Sequence, residues 1–205
     1  AILLKKSPAA MEVQTGGEQM REVVTAAEMK ALDRNTIQKA GLSSLVLMER
    51  AALKTAEEIM QRLKDRGKEK ILVVCGTGNN GGDGLAIARL LHLQGIRTWY
   101  YVAGKEERMT AETAGQLRTA EYYQVPRVHN LKPDEYTTIV DAIFGVGLSR
   151  PVEGKYAELI SAMNQTSAYK VAVDIPSGID SDTGFEKGIA FRADLTVTFA
   201  FRKRG

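Results

Sequence analysis

A single cysteine, Cys75, is the whole thiol content of the sequence, which excludes an internal disulfide and fits a reducing compartment. No apolar run approaches the ~18 residues that a membrane-spanning helix needs, so no membrane association is expected. The opening Ala1-Ile2-Leu3-Leu4 gives way at once to lysines, too soon for the apolar region of a signal peptide. The first residue is not Met, so a remnant of an organelle-targeting segment stays compatible. A cytoplasmic location is expected, with a mitochondrial one as the alternative. Charge of one sign is missing too. A net charge of +3 from scattered basic residues, with no stacking aromatics among them, argues against a nucleic-acid partner. Repeats and low-complexity segments are absent.

The 205 residues suit one domain with enough length to bury a substantial core. Residues 1–20, with Ser7-Pro8, Gly16-Gly17 and no period, read as a tail without a fold role, and residues 21–205 as the domain. Thr25 and Glu28 are spaced as a capping box, and Met29, Leu32, Ile37 and Ala40 follow near helical spacing until Gly41. A second helix is expected over residues 44–63, carrying Leu45, Leu47, Met48, Ala51, Ala52, Ala56 and Ile59. Strands and helices then alternate, with strands at 71–75, 98–103, 138–144, 170–175 and 195–201 and helices at 84–93, 111–122 and 155–164. Short apolar runs bounded by Gly, Pro or Asp are what strands buried on both faces look like. Their alternation with helices implies right-handed crossovers and a parallel sheet. The expected fold class is α/β, a three-layer, doubly wound, mostly parallel, Rossmann-like sheet with helices on both faces. The chain stops just past a strand, which reads as a fragment of something longer whose missing strand leaves an open sheet edge.

In such a sheet ligands bind at the carboxyl ends of the strands, and the unusual polar residues lie there. Gly76, Gly78 and Gly81 match G-x-G-x-x-G, the spacing that lets a backbone approach a dinucleotide pyrophosphate. Yet Asn79 and Asn80 sit inside the motif, and Asp83 competes with phosphate for the same helix dipole. Asp83 also suits a helix cap, and the two roles can coexist. The asparagines can supply left-handed turn conformations, although two among four glycines exceed what a turn needs. Val140 precedes Asp141 and Val173 precedes Asp174, each pair near a strand end. A buried carboxylate is costly without a partner, so each wants a cation, a ring of amides or a substrate hydroxyl. Capping of local amides is the plainer alternative.

The usual chemistries fit poorly. A hydride-transferring Rossmann enzyme wants an acidic residue ending its second strand, but here that strand ends Tyr101-Val102-Ala103-Gly104-Lys105, with Glu106 already in the loop. Gly-Lys-Ser/Thr is absent, and with it the phosphate loop of an NTPase. G-x-S-x-G is absent as well, and neither His92 nor His129 lies near a nucleophile. Cys75, at a strand end, reads as core. His92 reads as a helix-flank residue.

Three long loop motifs together carry a resemblance. Gly76-Thr-Gly-Asn-Asn-Gly-Gly-Asp-Gly84, Val140-Asp-Ala-Ile-Phe-Gly-Val-Gly-Leu148 and Val173-Asp-Ile-Pro-Ser-Gly-Ile-Asp-Ser181 resemble the YjeF N-terminal domain family, the NAD(P)H-hydrate epimerases, from about Val24 to Gly205. Thr25 to Asp33, Leu47 to Ala51 and Ala193 to Phe199 support the match. The resemblance implies an isomerase acting on NADH or NADPH hydrated at C6 of the nicotinamide ring. It would interconvert the R and S epimers so that a dehydratase, fused or separate, can restore the cofactor. It also implies a homodimer, formed through the N-terminal helices.

Carried over by motif, Asn79, Asn80, Gly81, Gly82 and Asp83 are similar to the family's substrate contacts. Gly145, Val146, Gly147, Leu148, Ser149, Arg150 and Pro151 are similar to its second substrate loop. Asp174 matches its acidic residue beside the reacting ring, and is expected to shuttle the proton as catalytic acid and base. Asn80, Asp141 and Ser177 match positions that hold a potassium ion, and an amide oxygen, a carboxylate and a hydroxyl suit a hard cation. The chain departs from the family where Arg50 and Ala52 replace Asn and Gly, and where Ala200 and Arg202 replace Gly and Pro. Arg50 reads as a surface residue rather than a phosphate contact. Lys105 is a weak pointer to a 2′-phosphate. A different class, a non-catalytic protein- or RNA-associated module on the same fold, would be favoured by a degraded loop, and this loop is intact.

Overall fold

The computed structural model of the chain describes residues 3–6, 23–63, 65, 67–199 and 202–204. Two short strands, β1 (Leu3–Lys6) and β2 (Val23–Val24), precede helices α1 (Ala26–Gln38) and α2 (Ser44–Arg62). Strand β3 (Lys70–Cys75), helix α3 (Asn79–Leu93), strand β4 (Arg97–Val102) and helix α4 (Ala111–Tyr122) follow. Strand β5 (Thr138–Ala142), helix α5 (Gly154–Gln165) and strands β6 (Tyr169–Val173), β7 (Leu195–Thr198) and β8 (Arg202–Lys203) complete the order.

The central sheet runs β1-β7-β6-β5-β3-β4, and every pairing among β3 to β7 is parallel. Alternate residues of its buried strands face opposite layers. Ile71, Val73 and Cys75 pack under α2, α3 and α4, while Leu72, Val74 and Ile139 pack against Ile160 and Met163 of α5. The doubly wound three-layer expectation is met. From β3 the chain moves to β4 on one side and returns to β5 on the other. The strand order therefore reverses between β3 and β5, and a crevice opens at their carboxyl ends.

Three differences from the sequence expectation matter. Helix α3 starts at Asn79 rather than at residue 84, with Gly78 as its N-cap. Asn and Gly are poor helix formers, but packing overrides propensity here. A Cβ at Gly81 would overlap the Gly76 carbonyl, one at Gly76 would overlap that of Ile143, and one at Gly84 would lie 2.5 Å from the Ala142 Cβ. The glycines thus let the first turn of α3 rest directly on the loop and the sheet. Second, Leu3–Lys6, read as part of a tail, pairs antiparallel with β7 and covers the edge expected to be open. Unpaired edge amides and carbonyls accept an extended segment wherever one reaches. Third, β8 pairs with β2 in a separate ribbon and so ties the end of the chain to the start of α1. Residues 7–22 and Ala200 lie outside the described residues.

Candidate active site

A cleft of about 1010 Å³ opens over the β3–β5 switch point, at the upper end of ordinary ligand sites. Its walls come from the start of α3, the loop after β5, the residues after β6, and a roof of α1 and α2. The roof is held by local chemistry. Thr25 and Glu28 form the anticipated capping box, Ser43 caps α2, and Asp182 accepts from the Ala26 amide at 2.7 Å.

Of the residues singled out in the sequence, Asn79, Asn80, Asp83, Gly145, Val146, Gly147, Leu148 and Asp174 line this cleft together. Gly81 and Gly82 are buried behind it. They serve as contact surfaces, Gly81 for Gly76 and Gly82 for Met48 of α2. Ser149, Arg150 and Pro151 continue the second loop but do not line the cleft. Arg50, read as a surface residue, does line it, alongside Lys30 and Lys54. Cys75 is fully buried and its thiol is pushed up by burial, in keeping with a core residue.

Both strand-end aspartates have the partners that burial demands, and they differ. Asp141 is fully buried beneath the cleft floor. Its Oδ1 accepts from the Ser177 hydroxyl at 2.6 Å and the Ile143 amide at 3.1 Å, and its Oδ2 accepts from the Ser177 amide at 2.7 Å. The Phe144 amide in turn donates to the Ser177 hydroxyl at 2.9 Å. Burial pushes the Asp141 carboxyl up to about 6, with the donors from Ser177 and Ile143 pulling the other way. Asp141 and Ser177 therefore clamp the loops after β5 and β6 together. Asn80, the third residue of that set, sits at the start of α3. Its side chain lies against Gly145, and its Nδ2 is buried without a partner among the described residues.

Asp174 takes a cation instead. Lys203 on β8 donates to its Oδ1, as do the Thr198 hydroxyl and the Phe199 amide, each at 3.3 Å. The Lys203 ammonium also donates to Thr198 Oγ1 at 2.9 Å and to the Phe199 carbonyl at 3.1 Å, and its side chain is 4% exposed. Asp174 adopts a left-handed φ of 67°, a conformation uncommon outside glycine and one that clusters at functional sites. The sequence reading missed Lys203, although the demand of Asp174 for a counter-charge was a signal for it. Replacing Lys203 with Met would strand a largely buried carboxylate. The variant is expected to lose about 3–5 kcal/mol of stability, measured by urea unfolding. A loss under 1 kcal/mol would mean that the pair is solvated.

Asp83 is not a cap. It is the fifth residue of α3, past the N-cap at Gly78, and its carboxyl faces the cleft with no hydrogen bond among the described residues. Burial pushes it well above the usual carboxylate range, the nearby Asp174 and Asp33 add to this, and Lys203 opposes it. Asp33, on the α1 roof, is raised by the desolvation of the cleft and by Asp174. A second missed residue is Lys187. Its ammonium pairs with Asp180 at 2.5 Å and donates to the Leu148 carbonyl at 3.1 Å, buttressing the second loop.

Such a parallel sheet, with its crevice at the switch point, places the chain among Rossmann-like α/β domains, in which ligands bind at the strand ends. The chain belongs to the family described as YjeF-related protein N-terminus, whose pattern matches residues 44–205. It is 48% identical over 185 residues to the NAD(P)H-hydrate epimerase of Limosilactobacillus reuteri (strain DSM 20016), covering 90% of this chain and 87% of that one. It is 45% identical over 187 residues to the NAD(P)H-hydrate epimerase of Levilactobacillus brevis, covering 91% of this chain and 86% of its relative. The crystal structure of the yeast protein YNL200c superposes with a TM-score of 0.76 at 28% identity, over 84% of this chain and 77% of that one.

Proposed function

We infer that this chain is an NAD(P)H-hydrate epimerase, an isomerase that interconverts the C6 epimers of hydrated NADH and NADPH. The observation that carries the reading is the meeting of three separate loop motifs in one cleft at the switch point, in a chain whose relatives of this name match about nine-tenths of it. Two of those motifs bring acidic side chains, Asp83 and Asp174, to the cleft wall.

The C6 centre carries a hydroxyl next to the ring nitrogen. The nitrogen lone pair can push the hydroxyl out as water once an acid supplies a proton, leaving a ring iminium ion. Water adding to the opposite face, with its proton taken by a base, inverts the centre. Asp174 is the base held in place, fixed by Lys203 and by its own strained backbone. The amides of Asn79 and Asn80, which have no hydrogen-bond partner among the described residues, suit the diphosphate together with Lys30 and Arg50 of the roof.

The decisive assay uses hydrated NADH enriched in one epimer, with potassium present, and follows epimer content by chromatography. Interconversion well above the spontaneous rate is expected. The spontaneous rate in a folded sample would overturn the reading.

The donor set fits a potassium ion, held by Asn80, Asp141 and Ser177. Asp141 is a buried carboxylate with lone pairs to spare beyond its three donors. The unpartnered end of the Asn80 amide becomes an acceptor when the group is turned over. A bound potassium ion would supply positive charge beneath the cleft floor. Asp141, Ser177 and Asn80 hold the three loops in register around it. Potassium chloride is expected to raise the melting temperature above that in tetramethylammonium chloride at equal ionic strength, and Asp141→Asn to abolish the difference. Equal melting temperatures for the unmodified protein would remove the ion from this site.

Leu45, Val46 and Leu53 of α2, and Leu32 and Ile37 of α1, are more than a third exposed. This apolar surface supports a homodimer formed through the N-terminal helices. Among the described residues no helix is long and apolar enough to cross a membrane. A dehydratase consuming one epimer is the partner reaction that the activity implies.

A further inference from the structure

We propose that Asp83 is a second acid–base group, working opposite Asp174, so that each carboxyl serves one face of the reacting carbon. The proposal rests on the epimerase reading and adds a catalytic role to a residue that the sequence assigned to binding or capping.

Three observations carry it. Asp83 and Asp174 line the same cleft from different walls, one on the first turns of α3 and the other at the end of β6. Neither carboxyl is consumed by helix capping, since Gly78 holds the N-cap position of α3. Their surroundings are also unlike. Lys203, Thr198 and the Phe199 amide all donate to Asp174, whereas Asp83 receives no such donor among the described residues and shares the cleft lining with Asp33 and Asp174. Of two carboxyls lining one cleft, the one without an ammonium partner is the better placed to hold a proton. The elevated proton affinity of Asp83 agrees with that placement.

The chemistry requires two such groups. Inversion needs a proton given on the face that the hydroxyl leaves and a proton taken on the face that water enters. A single carboxylate fixed by Lys203 would have to reach around the ring to do both. With the pair, the Asp83 carboxylic acid protonates the departing hydroxyl as the C6–O bond breaks. The Asp174 carboxylate then takes a proton from the water that bonds to C6 on the other side. One proton has moved from Asp83 to Asp174 and one water has replaced another, and the proton returns to Asp83 by exchange with solvent before the same epimer reacts again. The opposite epimer runs the same steps in reverse.

The test is Asp83→Asn, assayed for epimerisation and for ¹⁸O uptake at C6 from labelled water, with each epimer supplied separately. In the unmodified enzyme each inversion should introduce one solvent oxygen. Asp83→Asn is expected to lower kcat for inversion by ~100- to 10,000-fold, with KM changed far less. One epimer, whose hydroxyl faces Asp174, should still exchange its oxygen without inverting, and the other should stop exchanging. Asp174→Asn should show the mirror image. A purely structural or binding role cannot produce exchange confined to one epimer. The variant is expected to fold, since an uncharged amide suits a site that disfavours an ionised carboxylate, and an unchanged or raised melting temperature verifies this. Wild-type inversion rates in Asp83→Asn would overturn the pair, as would equal loss of exchange from both epimers. Inversion by the unmodified enzyme with no label uptake would also overturn it, because that result means cleavage of the C6–N bond. In each of these cases the unmodified enzyme still epimerises, so the pair fails while the epimerase reading stands.

Discussion

Asp174→Asn should fold, bind hydrated NADH, and invert it ~100- to 10,000-fold more slowly than the unmodified enzyme. The substitution is nearly isosteric and keeps an oxygen to accept from Lys203, Thr198 and Phe199. Asn is also among the residues that tolerate the left-handed backbone at this position. What it removes is the ability to take a proton from water, together with the negative charge that pairs with the buried Lys203 ammonium, so stability falls as well. The loss should therefore fall on kcat, with KM nearly preserved, and chromatography of the two epimers reads it directly. Full activity in this variant would take proton transfer away from Asp174 and leave it as a positioning group for Lys203. The comparison with Lys203→Met is informative, because that change breaks the same buried pair and leaves the Asp174 carboxylate in place.

Gly81→Ala should produce a large structural effect for a single added methyl. The added Cβ would overlap the backbone carbonyl of Gly76, which cannot rotate away as a side chain can. The same loop is pinned on its far side, where Gly76 meets the backbone of Ile143. Relief requires α3 to lift from the loop, at a cost of about 3 kcal/mol or more. Lifting α3 would also displace Asn79, Asn80 and Asp83 from the cleft wall. Stability and activity should therefore fall together. Gly147→Ala is the control. Its Cβ would enter open space, so stability should stay within ~0.5 kcal/mol. If Gly81→Ala melts like the control, the close backbone approach is not what the glycine spacing is for.

The fold class was legible because it is written locally. Apolar runs such as Ile71 to Val74 and Ile139-Val140, separated by helical periods, leave little choice but a parallel sheet covered on both faces. Thr25 and Glu28 declared the start of α1 by side chains three residues apart, and the capping box is there. The start of α3 was misread for the converse reason. Intrinsic propensity rejects Asn-Asn-Gly-Gly, and only the contact of Gly81 with Gly76 shows why a helix of glycines is worth forming.

The site divides the same way. Asp141 and Asp174 were conspicuous because a carboxylate after a buried valine has to be paired. The sequence by itself determined that each needed a partner, and the three loop motifs carried the resemblance that implies the kind of ligand. Which partner each aspartate receives was decided only by the tertiary structure. Ser177 reaches Asp141 across two neighbouring strands. Lys203 reaches Asp174 from a ribbon that joins the end of the chain to its beginning. Asp83, apparently a cap in sequence, became a free acid in the cleft once the helix began one turn earlier. Charges find partners through space, at a range that residue spacing does not encode, so the demand for a partner is local while its supply is set by the fold.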